Sequence, residues 1–557
     1  MPWSELTLSL KASYLYTAGA RCYHSSVNPF KKLLAVSLLA LCCLGAVGFY
    51  SGSSPVVLPP VPPTVDSITP GELRMHLQFL ASAELGGRYT LSPSFAIAAR
   101  YLAAHLEAYG FRGAGDHGSF LQTFEVISAK PDVSKTFLEV TIGGKPVTFS
   151  LGEAPPFGGM ASGDARGQIV FAGFGISSAA QKHDDYAGLD AKGKIVLLVS
   201  GTPAGVDPSK LAETEQGQGA ARAHGAVGIL QIPPARFLEF MKDKTQVERF
   251  ASRESVRLAK DSDGRLPLMS LGPDAADKIL AAAGLTLKAV TEAVEKKQPL
   301  QPKPLDASAH MAMVVQQSRS TTQNVVGILE GSDPGLRGEY VVFSAHYDHL
   351  KTNGNGEIYP GADDDGSGTT AVLTIAHAMS LQRPKRSVLV IFHAGEELGL
   401  LGSEYNADFA PAVPLDKMVV DLNIDMIGRS KPEGDTQKED EHLTDAHTVY
   451  LVGSNRISPE LHGLSEDTNA EFQKLKLDYY YNDPANPERI YFRSDHWNYA
   501  KHGVPIIFYF DGVHVDYHKP TDTVDKIDFA KMTQITRLVF ETGWRIANLD
   551  HRLSKTP

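Results

Sequence analysis

The pattern of apolar and polar residues divides the chain into stretches of different character. The sequence becomes globular from about Thr69. Its stretch "SFAIAARYLAAHLEAYGF" (94–111) repeats apolar residues at helical spacing, with Leu102, Leu106 and Tyr109 on one face and Gly110 as a stop signal. Beyond this helix and up to about Leu305, short apolar runs alternate with glycines, as in "TFLEVTIGG" and "GKIVLLVSG". This second pattern is typical of β-strands joined by turns.

The last third of the chain combines long apolar runs with helical patterns. The runs "EYVVFS", "RSVLVIF", "MVVDLNI" and "VPIIFYF" are expected to be buried strands, and helices are expected between them. The sequence therefore predicts an α/β fold, with a mixed, mostly parallel sheet flanked by helices and interrupted by a β-rich insert. We place the two parts of the α/β domain at 69–124 and 309–550, and the insert at 125–308.

The N-terminal 50 residues have a pattern of their own. Lys31 and Lys32 precede "LLAVSLLALCCLGAVGFY", which is eighteen residues without a charge. Such a stretch is typical of a signal peptide or an N-terminal membrane anchor, and a buried core helix is the alternative. The Pro-rich segment at 51–68 favours a linker after a leader. We expect an exported protein, periplasmic, extracellular or anchored facing outwards, with membrane contact only through this leader.

Charge and cysteine content narrow the function. The net charge of −11 and the lack of a Lys/Arg run exclude a nucleic-acid partner. All three cysteines, Cys22, Cys42 and Cys43, lie in the leader. A cysteine nucleophile or a thiolate metal site is therefore excluded, and any metal must be held by His, Asp and Glu.

Histidine and acidic residues follow the ends of the four predicted strands. The runs continue, in order, into "AHYDH", "HAGEELG", "DMIG" and "DGVHVDYH". In open α/β sheets ligands bind beyond the carboxyl ends of the strands. We therefore expect these side chains to converge in one crevice.

Three consecutive aspartates, Asp363 to Asp365 in "YPGADDDGSGTT", precede an apolar helix with Val372 and Ile375 on its core face. Adjacent carboxylates repel one another and resist losing water, so solvated turn residues would be one explanation. However, the run lies at a helix N-terminus, and an acidic pair follows a neighbouring strand. This placement favours a bound cation.

The residue types indicate which cation. Imidazole with carboxylate suits zinc, with manganese or cobalt as alternatives. Two histidines and several carboxylates are more than one tetrahedral zinc requires, and a single aspartate could bridge two ions. The sequence therefore favours a two-metal site.

Five motifs carry a family resemblance. "AHYDHL", "PGADDDGSG", "AGEELGLLGS", "NIDMIG" and "DYHKPTDT" resemble, in order and spacing, those of the dinuclear zinc aminopeptidases. That family includes secreted bacterial leucyl aminopeptidases and, more distantly, glutamate carboxypeptidase II and the transferrin receptor. The resemblance covers about 69–124 and 309–549, and the insert looks like a protease-associated domain. It implies an enzyme with two Zn²⁺ per chain that removes N-terminal residues from peptides.

The same resemblance implies the site residues. The five metal ligands would be His346 and Asp425 on one zinc, Glu397 and His518 on the other, and Asp364 bridging both. Asp365 would follow Asp364 through a cis peptide, and Asp348 would orient the ring of His346. Glu396 would act as general base, taking a proton from a zinc-bound water so that the hydroxide attacks the peptide carbonyl.

Several alternatives remain at this stage. His349 competes with His346 as a ligand. A carboxypeptidase of the same family would use basic side chains such as Arg489 or Arg493 for the terminal carboxylate. A receptor-like homologue without catalysis, or a glutaminyl-cyclase-like transferase with one zinc, would be a different class of protein.

Overall fold

A computed structural model describes residues 58–157, 161–259, 265–483 and 486–556. The predicted leader, 1–50, and residues 51–57 of the predicted linker lie outside these residues. Across the described ranges, no helix has both the length and the apolar character needed to cross a membrane.

The bounds of the elements are as follows. The strands are β1 (Arg112–Gly113), β2 (Leu121–Pro131), β3 (Phe137–Ile142), β4 (Lys145–Phe149), β5 (Gly163–Phe171), β6 (Ser177–Ser178), β7 (His183–Asp184), β8 (Ile195–Val199), β9 (Gly228–Ile232), β10 (Ser255–Leu258), β11 (Leu268–Ser270), β12 (Lys303–Met313), β13 (Val315–Leu329), β14 (Tyr340–His346), β15 (Ser387–His393), β16 (Met418–Ile424), β17 (Thr448–Val452), β18 (Lys476–Asp478) and β19 (Ile506–Phe510). The α-helices are α1 (Pro70–Leu80), α2 (Phe95–Ala108), α3 (Gly217–Ala223), α4 (Ala235–Phe240), α5 (Lys244–Ala251), α6 (Pro273–Ala281), α7 (Leu287–Glu295), α8 (Gly366–Leu381), α9 (Leu401–Glu404), α10 (Pro459–Glu471), α11 (His496–Ala500) and α12 (Phe529–Asn548).

A large sheet forms the centre of the α/β part. Its strands lie in the order β10-β2-β13-β15-β14-β16-β19-β17-β18, and β1 pairs with β13. The four neighbours β15, β14, β16 and β19 run parallel, whereas β13 and β17 flank them in antiparallel orientation. The predicted mixed α/β sheet is confirmed, with its parallel pairing concentrated in the middle.

The central strands are apolar along their whole length because both faces of the sheet are covered. All residues of β15 and β16 are buried. Helix α8 lies between β14 on one side and α1, α2 and α12 on the other, which explains why nearly all of its residues are buried. The Asp365 side chain caps this helix by accepting a hydrogen bond from the Gly368 N–H (2.9 Å). These contacts fix the start of α8 against the carboxyl end of β14.

The insert contains a second sheet with the order β11-β9-β8-β5-β12-β3-β4 and its own apolar core. Two strands that lie wholly or partly within the predicted insert, β2 and β10, belong to the large sheet. Strand β2 crosses residue 125 and pairs with β13, and β10 pairs antiparallel with β2, from Ser255 opposite Ala129 to Leu258 opposite Val126. The assignment of the insert as a protease-associated domain stays a prediction.

One buried acid in the central sheet makes stability depend on pH. Asp421 in β16 is fully buried, and burial raises its pKa from the ordinary 3.8 to about 7, opposed only by a hydrogen bond from Ser344 Oγ (2.7 Å). Because the folded state holds this proton more tightly than the unfolded chain, stability falls as pH rises from 3.8 to 7. Above pH 7 the full cost, roughly 4 kcal/mol, is present.

We therefore expect Asp421→Asn to stabilise the metal-free protein by about 2–4 kcal/mol at pH 8 and by little near pH 4. Urea unfolding at the two pH values, with chelator present, measures this difference. Asp416→Asn provides the control, because it makes the same chemical change at an exposed residue outside the core. An equal effect of Asp421→Asn at both pH values would contradict the assignment.

Candidate metal centre

The predicted site residues lie at one edge of the large sheet. They follow the carboxyl ends of adjacent parallel strands: His346 ends β14, Glu396 and Glu397 follow β15, Asp425 follows β16, and His518 lies beyond β19. Asp364 reaches the same place from the loop before α8. The convergence expected from the four strand ends is therefore present.

One group of ligand atoms surrounds the His346 ring. Its Nε2 lies 3.4 Å from Asp364 Oδ1, 3.5 Å from Asp425 Oδ1 and 3.8 Å from Glu396 Oε2. His346, Asp364 and Asp425 are all buried, and they form a group able to hold a metal ion.

A second group shares Asp364 with the first. His518 Nε2 lies 3.0 Å from both Asp364 Oδ2 and Glu397 Oε2. His349, which the sequence offered as a competitor of His346, forms a group able to hold a metal ion with Asp364 and Glu397, and His518 is not part of that group. Its Nδ1 lies 2.7 Å from Glu397 Oε1 and 3.7 Å from Asp364 Oδ2.

The pKa values of the histidines and acids in the site are shifted by their attraction to one another. Burial alone would lower the pKa of His518, but its contacts with Asp364 and Glu397 raise it to about 10. Burial alone would raise the pKa of Asp364, but His349, His346 and His518 hold it well below its usual range. Protons on the imidazoles thus balance the acids, and a cation would replace those protons.

Buried polar atoms without hydrogen-bond partners indicate whether a metal ion would fit between these side chains. Within the described residues, Asp364 Oδ2, Glu397 Oε1 and both ring nitrogens of His349 are buried without a hydrogen-bond partner. Each such atom costs on the order of 1–3 kcal/mol, and a cation between them would remove that cost. Imidazole nitrogen and carboxylate oxygen without thiolate suit zinc. The residues fit the metal that the motifs imply.

Glu396 lies beside the first group but is in neither. Burial raises its pKa well above its usual range; His346 opposes this increase, and Asp425 adds to it. Its main-chain N–H donates to Asp348 Oδ1 (3.1 Å), and Asp348 Oδ2 accepts a hydrogen bond from Thr90 Oγ1 (2.8 Å). The position of Glu396 is thus set through Asp348.

The contact of Asp348 with His346 involves the main chain. His346 Nδ1 lies 3.2 Å from the Asp348 carbonyl oxygen and 3.7 Å from its carboxylate. The ring nitrogen that faces away from Asp364 is thereby held by the residue that the motif indicated.

The three aspartates have different partners. Asp363 Oδ1 accepts a hydrogen bond from the Gly428 N–H (2.7 Å), and Asp365 Oδ1 accepts from the Met426 N–H (3.1 Å) as well as capping α8. Asp364 alone of the three belongs to both metal-binding groups, and its peptide bond to Asp365 is cis. Asp363 and Asp365 therefore tie the loop to the end of β16, next to Asp425.

Sequence reasoning missed Arg88, which holds the loops under the site. Its buried guanidinium donates to four main-chain carbonyls: Leu80 (2.7 Å), Tyr347 (3.0 Å), Pro360 (2.6 Å) and Gly361 (2.8 Å). Three of these partners lie more than 250 residues away in the sequence, and no local pattern indicated the contacts.

A recess opens beside the two groups. Apolar side chains from three parts of the chain line it: Met426, Ile490, Phe508, Phe510 and Val513. Arg493 and Tyr517 complete its wall, and Asp364, Glu396 and Asp425 form its floor. Part of the aromatic-rich loop after β18 therefore contributes to the recess through Ile490.

Two further histidines, His377 and His393, lie outside the ligand groups. His377 on α8 contacts Glu72 (2.8 Å) and stacks on Tyr109. His393 is buried at the end of β15, with Nε2 2.9 Å from Tyr499 Oη and Nδ1 3.5 Å from Asp495 Oδ2. Neither side chain belongs to a metal-binding group.

Part of the chain is similar in sequence to known proteins. Residues 324–543 match peptidase family M28. A "Probable leucine aminopeptidase" of Arthroderma otae is 32% identical over 226 residues, which cover 38% of this chain and 56% of the relative. "Aminopeptidase YwaD" of Bacillus subtilis is 27% identical over 231 residues, covering 40% and 44%.

The fold has a solved counterpart. An aminopeptidase from Aneurinibacillus sp. strain AM-1 superposes with a TM-score of 0.50 at 17% sequence identity, covering 89% of this chain and 97% of that one. This likeness shows that the chain has the α/β fold of a known aminopeptidase structure. At the sequence level, the similarity to peptidase family M28 covers residues 324–543, which is less than half of the chain. The match spans about half the length of the curated relatives.

Proposed function

We propose that this protein is an exported two-zinc aminopeptidase, which hydrolyses N-terminal residues from peptides. The observation that carries the proposal is the pair of metal-binding groups that share Asp364, with Glu396 beside them, at the carboxyl ends of parallel strands. Export rests on the apolar leader after Lys31 and Lys32.

The zinc ligands are proposed as read from the motifs. His346 and Asp425 would hold one ion, Glu397 and His518 the other, and Asp364 both. When bound, the zinc ions would polarise the peptide carbonyl and make water a stronger nucleophile at neutral pH.

Glu396 is proposed as the general base. Its carboxylate faces the recess and lies 3.8 Å from His346, outside both ligand groups, so it is free to accept a proton from the attacking water. It would then deliver that proton to the leaving amine. Asp348 supports this role by holding the main chain of Glu396 in place.

The recess fits a peptide whose N-terminal residue has an apolar side chain. Asp364 and Asp425 on its floor would be bound to zinc, which leaves one carboxylate, Glu396, and one guanidinium, Arg493, among its described lining residues. Its apolar wall would accept an apolar side chain. The names of the relatives from Arthroderma otae and Bacillus subtilis, a leucine aminopeptidase and an aminopeptidase, point the same way.

The test is direction of cleavage. The purified full chain, supplied with Zn²⁺, is incubated with a mixed-sequence peptide in free and N-acetylated forms, and the products are read by mass spectrometry. We expect stepwise loss from the free N-terminus, blocked by acetylation and by a chelator. Glu396→Gln serves as the matched inactive protein, which excludes a contaminating peptidase.

Other outcomes would change the assignment. Trimming from the C-terminus, unaffected by acetylation, would indicate a carboxypeptidase that uses Arg493 for the terminal carboxylate. If protein with bound zinc cleaved neither peptide, the peptidase function would be overturned and a binding role would be favoured.

A further inference from the structure

Asp522 is a buried acid on the loop after β19, four residues beyond His518 in the motif "DYHKPTDT". Its side chain has no exposed surface. Burying a carboxylate is costly unless its oxygens accept hydrogen bonds or face a cationic group. The partners of Asp522 therefore show what this residue stabilises.

Asp522 binds the main chain of the loop that carries Asp364. Its carbonyl oxygen accepts a hydrogen bond from the Ala362 N–H (3.2 Å). Its carboxylate oxygen Oδ2 accepts from the Asp363 N–H (2.9 Å) and from the Asp364 N–H (3.2 Å). Three consecutive N–H groups, the last of them that of the shared ligand, thus donate to one residue. Because the direction of the Asp364 side chain depends on this main chain, Asp522 helps to fix it.

Arg429 in turn holds Asp522. Its guanidinium lies between two acids, with Nη1 3.5 Å from Asp522 Oδ1 and Nη2 2.6 Å from Asp516 Oδ2. The other oxygen of Asp516 accepts a hydrogen bond from Lys526 Nζ (2.7 Å). The two acids and the two basic groups balance in charge, so these contacts add no net charge next to Asp364.

The same contacts connect segments that carry predicted ligands. Arg429 follows Asp425 by four residues, and Asp516 precedes His518 by two. Arg429 thereby joins the segments of both ligands to the residue that holds Asp364. None of these contacts involves a metal ion, because each partner is a main-chain N–H or a charged side chain of the protein. The main chain of the shared ligand is thus in place before a cation binds.

We propose that Asp522 is a positioning residue for the shared ligand. By accepting hydrogen bonds from the Asp363 and Asp364 N–H groups, it holds the Asp364 carboxylate where both metal-binding groups need it. This inference rests on the proposed zinc function, in which Asp364 binds both ions. Groups that orient a metal ligand without touching the metal contribute about 10- to 100-fold to metal affinity. Asp522 does so through the main chain.

The test compares two substitutions of Asp522 in the full chain, with zinc affinity measured by competition against a chelator of known affinity. Asp522→Ala removes the acceptor of both N–H groups, and we expect zinc affinity to fall by about 10- to 100-fold. Asp522→Asn keeps a carbonyl oxygen in the place of Oδ2, so it is expected to recover most of that affinity. Arg429 retains its shorter contact with Asp516 in this variant. Equally weak binding in the two variants would overturn the proposal, and so would wild-type affinity in folded Asp522→Ala.

Asp185→Ala is the matched control. It removes a buried aspartate of the insert, whose Oδ2 accepts a hydrogen bond from the Ile176 N–H (3.1 Å). Its zinc affinity should equal that of the wild type, because a loss of stability alone leaves the site of the folded protein unchanged. Circular dichroism identifies the samples that are folded at the assay temperature. If Asp185→Ala weakened zinc binding as much as Asp522→Ala, the effect would be one of stability and the proposal would be overturned.

A measurement on the wild-type protein does not depend on whether a variant folds. Hydrogen–deuterium exchange of the chelator-stripped full chain, resolved to single residues by fragmentation in the mass spectrometer, reports on the N–H groups at 362–364. We expect those of Asp363 and Asp364 to exchange at least about 100-fold more slowly than unstructured amides. Exchange at the unprotected rate would show that Asp522 does not hold this loop without metal, and would overturn the proposal.

The outcomes separate this inference from the proposed function. A wild-type protein that binds no zinc would overturn both. A wild-type protein that binds zinc and cleaves peptides, together with unchanged zinc affinity in Asp522→Ala, would overturn only the role of Asp522.

Discussion

Glu396→Gln is expected to lower kcat for peptide hydrolysis by about 10²- to 10⁴-fold while leaving zinc content unchanged. The amide has nearly the shape of the carboxylate but cannot accept a proton from water. Because Glu396 belongs to neither ligand group, its loss should not release metal. Its main-chain hydrogen bond to Asp348 is also unaffected by the substitution.

The measurement is steady-state hydrolysis of an N-terminally unblocked peptide, with zinc per chain determined on the same samples. Glu107→Gln, an exposed change of the same kind on α2, provides the control and should retain full activity. If Glu396→Gln kept more than half of the wild-type kcat, Glu396 would not be the base. If it lost zinc as well, Glu396 would instead be contributing to metal binding.

Asp364→Asn is expected to remove both metal ions from the protein at micromolar zinc, and activity with them. Asp364 is the residue common to the two groups: Oδ1 lies 3.4 Å from His346, and Oδ2 lies 3.0 Å from His518. The amide would present one oxygen and a nitrogen that carries hydrogens, so one of the two groups loses a ligand atom outright. Loss of the negative charge weakens cation binding in both groups.

The control for this prediction is the neighbouring residue. Asp365→Asn makes the same chemical change one position along, yet its side-chain oxygen can still accept from the Gly368 and Met426 N–H groups. Elemental analysis after dialysis should find two zinc ions in Asp365→Asn and less than one in Asp364→Asn. Full zinc content in Asp364→Asn would refute its place as the shared ligand.

The convergence of the site was predictable because strand ends are readable in the sequence. Each apolar run ended in His or acidic residues, and parallel neighbours bring such ends to one edge. The helix after the aspartates was equally clear, and Asp365 caps it. Strand ends and helix starts are predictable because they depend on residues that are close together in the sequence.

The features of the site and the sheet that could not be predicted from the sequence depend on contacts between distant segments. Whether His346 or His349 faces Asp425 is decided by the turn after β14, which pairs with Tyr89 far upstream. The four carbonyl partners of Arg88 have no sequence signature, since any residue has a carbonyl. The antiparallel strands on either side of the parallel centre follow from pairing partners that no apolar pattern specifies.

Strand β10 has a consequence for the modular character of the insert. The chain enters the insert after β2 and leaves it before β13, but in between it returns to the large sheet to form β10 against β2. The insert is therefore connected to the large sheet through a strand from its middle as well as at its two ends. Excising it as a cassette, or exchanging it for that of a relative, would leave the edge of β2 bare and open to pairing with other chains.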